Sequence, residues 1–226
     1  TRAHTEGLSN YHNAFASIYE GRYLAGIAAG MKMNEMIAAG KFTEAEAKMG
    51  YVGAFTYAEV VSGYTSFYLG AKSVCPSVTM DVTFTGSWYD ETLEKEGAQK
   101  LIDGGCKLIS QHADSLGAPT ACENAGVPNV SYNGSVMDGT EIPADYTGNL
   151  STGSVVLTDL NTAVAAEGTQ AAIDAAKAKL ESGELHVFDC STFTVSGANV
   201  KDTMKVDADG HLTSYMADVN TDEAYT

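Results

Sequence analysis

The sequence predicts an α/β protein, with an open, mostly parallel sheet flanked by helices. Two observations carry that prediction. Four short apolar runs between Tyr51 and Tyr132 are separated by segments of helical periodicity. Within the stretch Gly50 to Tyr89 the apolar period changes from strand to helix and back again, as in a βαβ unit. The chain has 226 residues, ample for a packed core in one large or two small domains.

Residues 1–12 carry no pattern. From Asn13 to Ala39 the spacing predicts one long helix, with Phe15, Ile18, Tyr19, Arg22, Tyr23, Gly26, Ile27 and Gly30 forming a face for tight packing. Lys41 to Lys48 reads as a solvated turn and linker. Tyr51 to Phe55 is the first strand, and Gly53 within it would let another backbone approach closely. Val60, Tyr64, Phe67, Tyr68 and Ala71 then recur at three or four residues, one face of a helix that Pro76 ends. Val78, Met80, Val82 and Phe84 alternate as a second strand. Asp90 is placed to cap a helix from Glu91 to Asp103, with Leu93, Gly97, Leu101 and Ile102 on its inner side and Gly104-Gly105 as its stop. Cys106 to Gln111 is a third strand. A helix over Pro119 to Asn124 ends at Gly126, and Val127 to Tyr132 is a fourth strand.

The remainder is less regular. Asp138 to Leu150 reads as a loop, Ser154 to Leu157 as a strand, and Gly168 to Ser182 as a helix burying Ile173, Ala176 and Leu180 before Gly183. His186 to Phe188 and Thr192 to Val195 read as short strands. Asp207-Ala208-Asp209-Gly210 resembles part of a calcium loop. Lys205 and Met216 stand where that loop needs acids, so a hairpin turn is the better reading.

The composition is acidic, with 29 Asp and Glu against 13 Lys and Arg and a formal net charge of −16. Phosphate binding depends on clustered Lys and Arg, so nucleic acid is excluded as a partner; a neutral nucleoside or sugar is not. No apolar run approaches the roughly 20 residues that cross a bilayer, and Tyr23 to Met31 reads as a buried helix. The chain opens at Thr1 without a signal peptide and reads as a mature or trimmed form. Cys75, Cys106, Cys122 and Cys190 lack metal spacing and read as buried or partly exposed thiols, with a Cys75–Cys106 disulfide left open.

The ends of the four strands supply Phe55-Thr56-Tyr57, Ser87-Trp88, His112 with Asp114, and Tyr132-Asn133. Aromatic faces beside neutral or acidic hydrogen-bonding groups suit a planar polar ligand, at the strand ends where such sheets bind. A hydrolase using His112, Asp114 and Ser115 is disfavoured, because sequence neighbours do not form a relay and the nucleophile elbow is missing. Gly50-Tyr51-Val52-Gly53 departs from the dinucleotide fingerprint, and no cofactor is expected.

Several long stretches resemble the basic membrane protein family, the substrate-binding lipoproteins of nucleoside ABC importers. They are IYEGRYLAGIAAGMK (18–32), KMGYVGAFTYAEVVSGYTSFYLGAKSV (48–74), FTGSWYDETLEKEGAQKLIDGGCKLISQHADS (84–115) and VSYNGS (130–135). Weaker similarity continues through VVLTDLNTAVAAEGT (155–169) and LESGELHVFD (180–189). The resemblance implies a type I periplasmic-binding-protein fold whose two α/β lobes close on a purine nucleoside or base without performing chemistry. It implies Trp88, His112, Asp114, Ser115 and Asn133 at the ligand, and together with the strand ends the expected ligand set is Trp88, Ser87, Phe55, Asp114, His112 and Asn133. Gly86 stands where the family often has Asn, and Asn133 where it has an Asp facing the ribose, so the charge-assisted bond is lost there.

The resemblance also implies a partial chain, one lobe nearly complete and the other largely absent. Residues 1–48 would be a helical segment of the first lobe or hinge, 49–135 the second-lobe core, and 136–226 the crossover and carboxyl-terminal segments. The implied protein is extracytoplasmic, periplasmic or a cell-surface lipoprotein. Its partner is an ABC permease, and it meets the membrane only through an amino-terminal lipid absent from this sequence. A sensor of the same fold is the alternative.

Overall fold

Two of the strands, Lys48–Gly53 and Leu108–His112, are buried on both faces, as in a sheet covered on both sides. The computed structural model describes residues 13–131, 145–188 and the pairs 194–195 and 198–199, with side chains over 16–131 and 148–188. In chain order the elements are β1 (Asn13–Ala16), α1 (Ile18–Ala38), β2 (Lys48–Gly53), α2 (Ala58–Val74), β3 (Thr79–Phe84), α3 (Glu91–Asp103), β4 (Leu108–His112), α4 (Gly117–Ala125), β5 (Asn129–Val130), β6 (Asp145–Gly148), α5 (Thr169–Ser182), β7 (Thr194–Val195) and β8 (Ala198–Asn199). A four-stranded sheet runs in the order β3-β2-β4-β5, and every pairing in it is parallel. The predicted fold class holds.

Each strand sends alternate side chains to opposite layers. Met49 and Tyr51 of β2 and Leu108 of β4 pack with Phe67 and Ala71 of α2 and with Ala29 and Met33 of α1. Val52 and Ile109 face the other way, onto Ala98 and Leu101 of α3 and Ala118, Ala121 and Cys122 of α4. The helices after β2 and β4 therefore leave to opposite faces of the sheet. Because β2 and β4 are neighbours, their carboxyl ends form a switch point, where open α/β sheets leave a crevice.

Helices α1 and α2 touch backbone to backbone. A Cβ on Gly26 would lie 2.0 Å from the Phe67 carbonyl oxygen, and one on Gly70 would lie 2.0 Å from that of Tyr23. The far side of α1 is covered by residues 150–188, where Tyr23, Leu24 and Ile27 meet Leu150, Ile173 and Val187.

The local predictions for α3 hold at both ends. Asp90 Oδ1 accepts from the Leu93 amide at 2.9 Å, and the helix ends before Gly104 and Gly105. Helix α4 closes on Gly126 in the left-handed region, φ +66°. Helix α5 covers the predicted span, with Gly168 as its cap residue and Gly183 after its end.

Five expectations are corrected. Asn13–Ala16 is a strand rather than the start of α1, because it pairs in parallel with β6, itself inside the predicted loop 138–150. Ser154–Leu157 is not a strand; Val155 and Leu157 pack into the cluster around α1 instead of joining a sheet. His186–Phe188 is likewise turn and irregular chain, with Phe188 5.3 Å from the Tyr19 ring. On α3, Gly97, Leu101 and Ile102 do face inward, joined by Glu94 and Ala98, but Leu93 is exposed. At Gly53 the close neighbour is the Phe84 ring, not a backbone. Tyr132, Asn133, Cys190 and the Asp207–Gly210 turn lie outside the described residues. Cys75, Cys106 and Cys122 are free and buried, so the open question of a Cys75–Cys106 bridge closes in favour of thiols.

Candidate binding site at the strand ends

The loops after β2, β3 and β4 are joined by main-chain hydrogen bonds. Thr85 N donates to Gly53 O at 3.0 Å and Gly86 N to Ala54 O at 2.8 Å. Ala54 N donates to His112 O at 3.2 Å, and Asp114 N to Trp88 O at 2.8 Å. Gly86 turns in the left-handed region at φ +74°, with no atom near its absent Cβ, so glycine is needed for its backbone alone. Thr85 Oγ1 and Ser87 Oγ close the next two turns, donating to Ser87 O at 2.8 Å and Tyr89 O at 3.1 Å.

These turns gather three aromatic rings over the crevice. Phe55 and Tyr57 stack with centroids 4.8 Å apart and planes 16° from parallel. Trp88 meets Phe55 edge-on at 5.7 Å and Tyr57 at 6.4 Å. Tyr57 is 57% exposed while Phe55 and Trp88 are half-buried, so the cluster presents ring surface to solvent. Asp114 is exposed beside it.

His112 occupies a different level. It is fully buried, with its ring 6.0 Å from that of Trp88, and a Cβ on Gly63 would come within 2.6 Å of its Nδ1. Burial first, and the Arg22 guanidinium second, push the imidazole down to about 3, which keeps it neutral at ordinary pH. Of the predicted set the structure brings together Phe55, Ser87, Trp88, His112 and Asp114; Asn133 lies outside the described residues.

Three further residues shape this end of the sheet. Arg22 is buried beneath it, donating from Nη2 to Ser110 Oγ, with its guanidinium carbon 4.9 Å over the Phe67 ring and 5.3 Å over Tyr51. Its position in the inner stripe of α1 was readable; its contact with a strand 88 residues away was not. Gly63 makes room for His112. Glu94, fully buried, accepts from the amides of Asp90 and Ser115. The spacing rule did not mark it, since a capping box puts its acid three residues after the cap, where Leu93 stands. Ser115 Oγ accepts from Gly117 N at 3.1 Å, a local turn leading into α4 rather than a nucleophile's role.

Residues 3–208 match the family model described as ABC transporter substrate-binding protein, PnrA-like. The chain belongs to that family. It is a family of binding proteins, not of enzymes. A putative ABC transporter glucose-binding protein of Haloferax volcanii is 42% identical over 116 residues, 51% of this chain and 27% of that protein. A purine-binding protein of Brucella abortus is 34% identical over 122 residues, 54% of this chain and 31% of that protein. The matches thus span less than a third of the length of these two curated relatives. A solved ABC transporter solute-binding protein from Aeropyrum pernix superposes with a TM-score of 0.63 over 78% of this chain and 66% of that one, at 17% identity, a likeness of fold. No helix among the described residues is long and apolar enough to cross a membrane.

Proposed function

We propose that the chain is the ligand-capturing part of an extracytoplasmic solute-binding protein that delivers a purine nucleoside or base to an ABC permease. In this reading residues 49–135 form one binding lobe, and attachment to the membrane is through an amino-terminal lipid or not at all. The observation that carries it is the Phe55–Tyr57–Trp88 cluster, solvent-facing at the switch point of a sheet in this family. A purine ring stacks on such a surface, and Asp114, Ser87 and Asn133 bond ribose hydroxyls or ring edges. His112 acts from behind, as a neutral support for Trp88.

A sugar is the second reading, favoured by the printed name of the Haloferax relative, since aromatic faces also stack on sugar rings. The protein holds a single Trp, so its emission reports one site. Guanosine, inosine or adenosine is expected to change that emission saturably. By calorimetry Trp88→Ala should weaken binding by about 5- to 150-fold, in line with the roughly 1–3 kcal/mol measured for stacking of one base. Equal nucleoside affinity in Trp88→Ala removes the stacking role. Binding of glucose with no response to any nucleoside selects the sugar.

A further inference from the structure

The loop carrying Trp88 and the loop carrying His112 and Asp114 share a buried fastening. Glu94, in the first turns of α3, has no exposed surface. Its Oε1 accepts from Asp90 N at 3.1 Å. On the other side Ser115 N donates to its Oε1 at 3.3 Å and its Oε2 at 3.2 Å. The same two loops are joined by a main-chain bond from Asp114 N to Trp88 O, 2.8 Å. Both anchored residues lead into a helix: Asp90 caps α3 by receiving the Leu93 amide, and Ser115, one residue before the Leu116 cap of α4, receives the Gly117 amide on its Oγ. The two helix starts are pressed together, because a Cβ on Gly117 would lie 2.2 Å from the Glu91 carbonyl oxygen.

None of the ion pairs among the described residues includes Glu94. Its carboxylate is held by main-chain N–H groups at the amino ends of α3 and α4, where the helix dipoles favour negative charge. An apolar side chain would fill that volume without the desolvation cost. What only a carboxylate supplies is one oxygen, Oε1, that accepts from both loops beside a second, Oε2, that accepts again from Ser115 N.

We propose that Glu94 is a positioning residue of the ligand site, fixing the Trp88 loop against the His112–Ser115 loop. The proposal rests on reading that rim as the ligand site, while the fastening itself is measurable with no ligand present. Glu94→Gln keeps the shape but, with its carbonyl in the Oε1 place, turns an NH2 against the Ser115 amide, donor facing donor where Oε2 accepted. Hydrogen exchange followed by mass spectrometry should then speed up about ten-fold in residues 86–90 and 113–117, the cost of roughly one hydrogen bond to a charged group, with β2 and β4 unchanged. The emission of ligand-free Trp88 should move to the red, and guanosine affinity should fall about ten-fold by the same arithmetic.

Unchanged exchange in both loops with an unshifted Trp88 overturns the proposal. So does a Glu94→Leu protein that binds guanosine as the parent does, since packing would then suffice. If Glu94→Gln does not fold, the parent protein decides by NMR: slow exchange of the Asp90 and Ser115 amides supports the fastening, and exchange as fast as that of exposed amides refutes it. A parent protein that binds no nucleoside but shows the predicted loosening in Glu94→Gln sinks the nucleoside reading and leaves the fastening standing.

Discussion

His112 shows how far a residue's surroundings outrun its type. As a strand-end histidine followed by Asp114 and Ser115 it invites an acid–base role, yet it is fully buried against Trp88 and Gly63 with its pKa lowered to about 3. A histidine whose folded pKa lies below its unfolded value of about 6.5 binds more protons in the unfolded chain. Its contribution is therefore full above pH 6.5 and is lost as pH falls from there towards 3. We expect the stability difference between the parent and His112→Gln to stay flat above pH 7. Below pH 6 the parent should lose ground at up to about 1.4 kcal/mol per pH unit, measured by urea denaturation across pH. A difference that stays flat down to pH 4 would show that the imidazole accepts a proton in place. The buried thiols follow the same physics with opposite sign: burial pushes Cys106 and Cys122 up to about 11, so both stay protonated and inert.

At the scale of elements, glycine spacing did more than hydrophobic periodicity. The small face of α1 was visible, but not that Gly26 and Gly30 receive the backbone of α2 around Phe67 and Ala71. That contact yields a prediction of sign. On an exposed helix Gly→Ala stabilises by about 1 kcal/mol. Here Gly70→Ala would set its Cβ 2.0 Å from the Tyr23 carbonyl oxygen. The helices must part, and we expect destabilisation of about 2–3 kcal/mol, read as a fall in the urea midpoint. A rise in the midpoint would show that the interface yields freely. The missed elements have a common cause. β1 and β6 are four residues each and pair across 132 positions, Asn13 with Asp145, so neither has a local signal that outweighs the helix or loop pattern beside it. The inner face of α3 was read through Leu93 because hydrophobicity suggested it; the buried Glu94 pays its desolvation cost with hydrogen bonds that a periodicity rule does not weigh.

For the whole molecule the dominant fact is charge. At −16 the chain repels itself, and the ion pairs among the described residues, such as Lys48–Asp81 at 3.0 Å, lie at the surface. Salt screens such repulsion within about 10 Å at 0.1 M. Raising NaCl from 10 to 200 mM should lift the melting temperature by on the order of 2 °C, about 1 kcal/mol for a domain of this size, as seen by calorimetry. A fall would mean that attractive pairs outweigh the net repulsion.

The sequence by itself determined the family, the α/β layering, the caps at Asp90, Gly126 and Gly183, and the strand ends where aromatics gather. Each of these is written in residues that are neighbours or one period apart, so local sterics and hydrogen bonding decide them. Only the tertiary structure decided that β2 and β4 lie side by side with their helices on opposite faces, that Trp88 stays half open while His112 is sealed beneath it, and that Glu94 reaches Ser115 across 21 residues. Those facts depend on how deeply separate elements bury one another, a property of packing that no single stretch of chain contains.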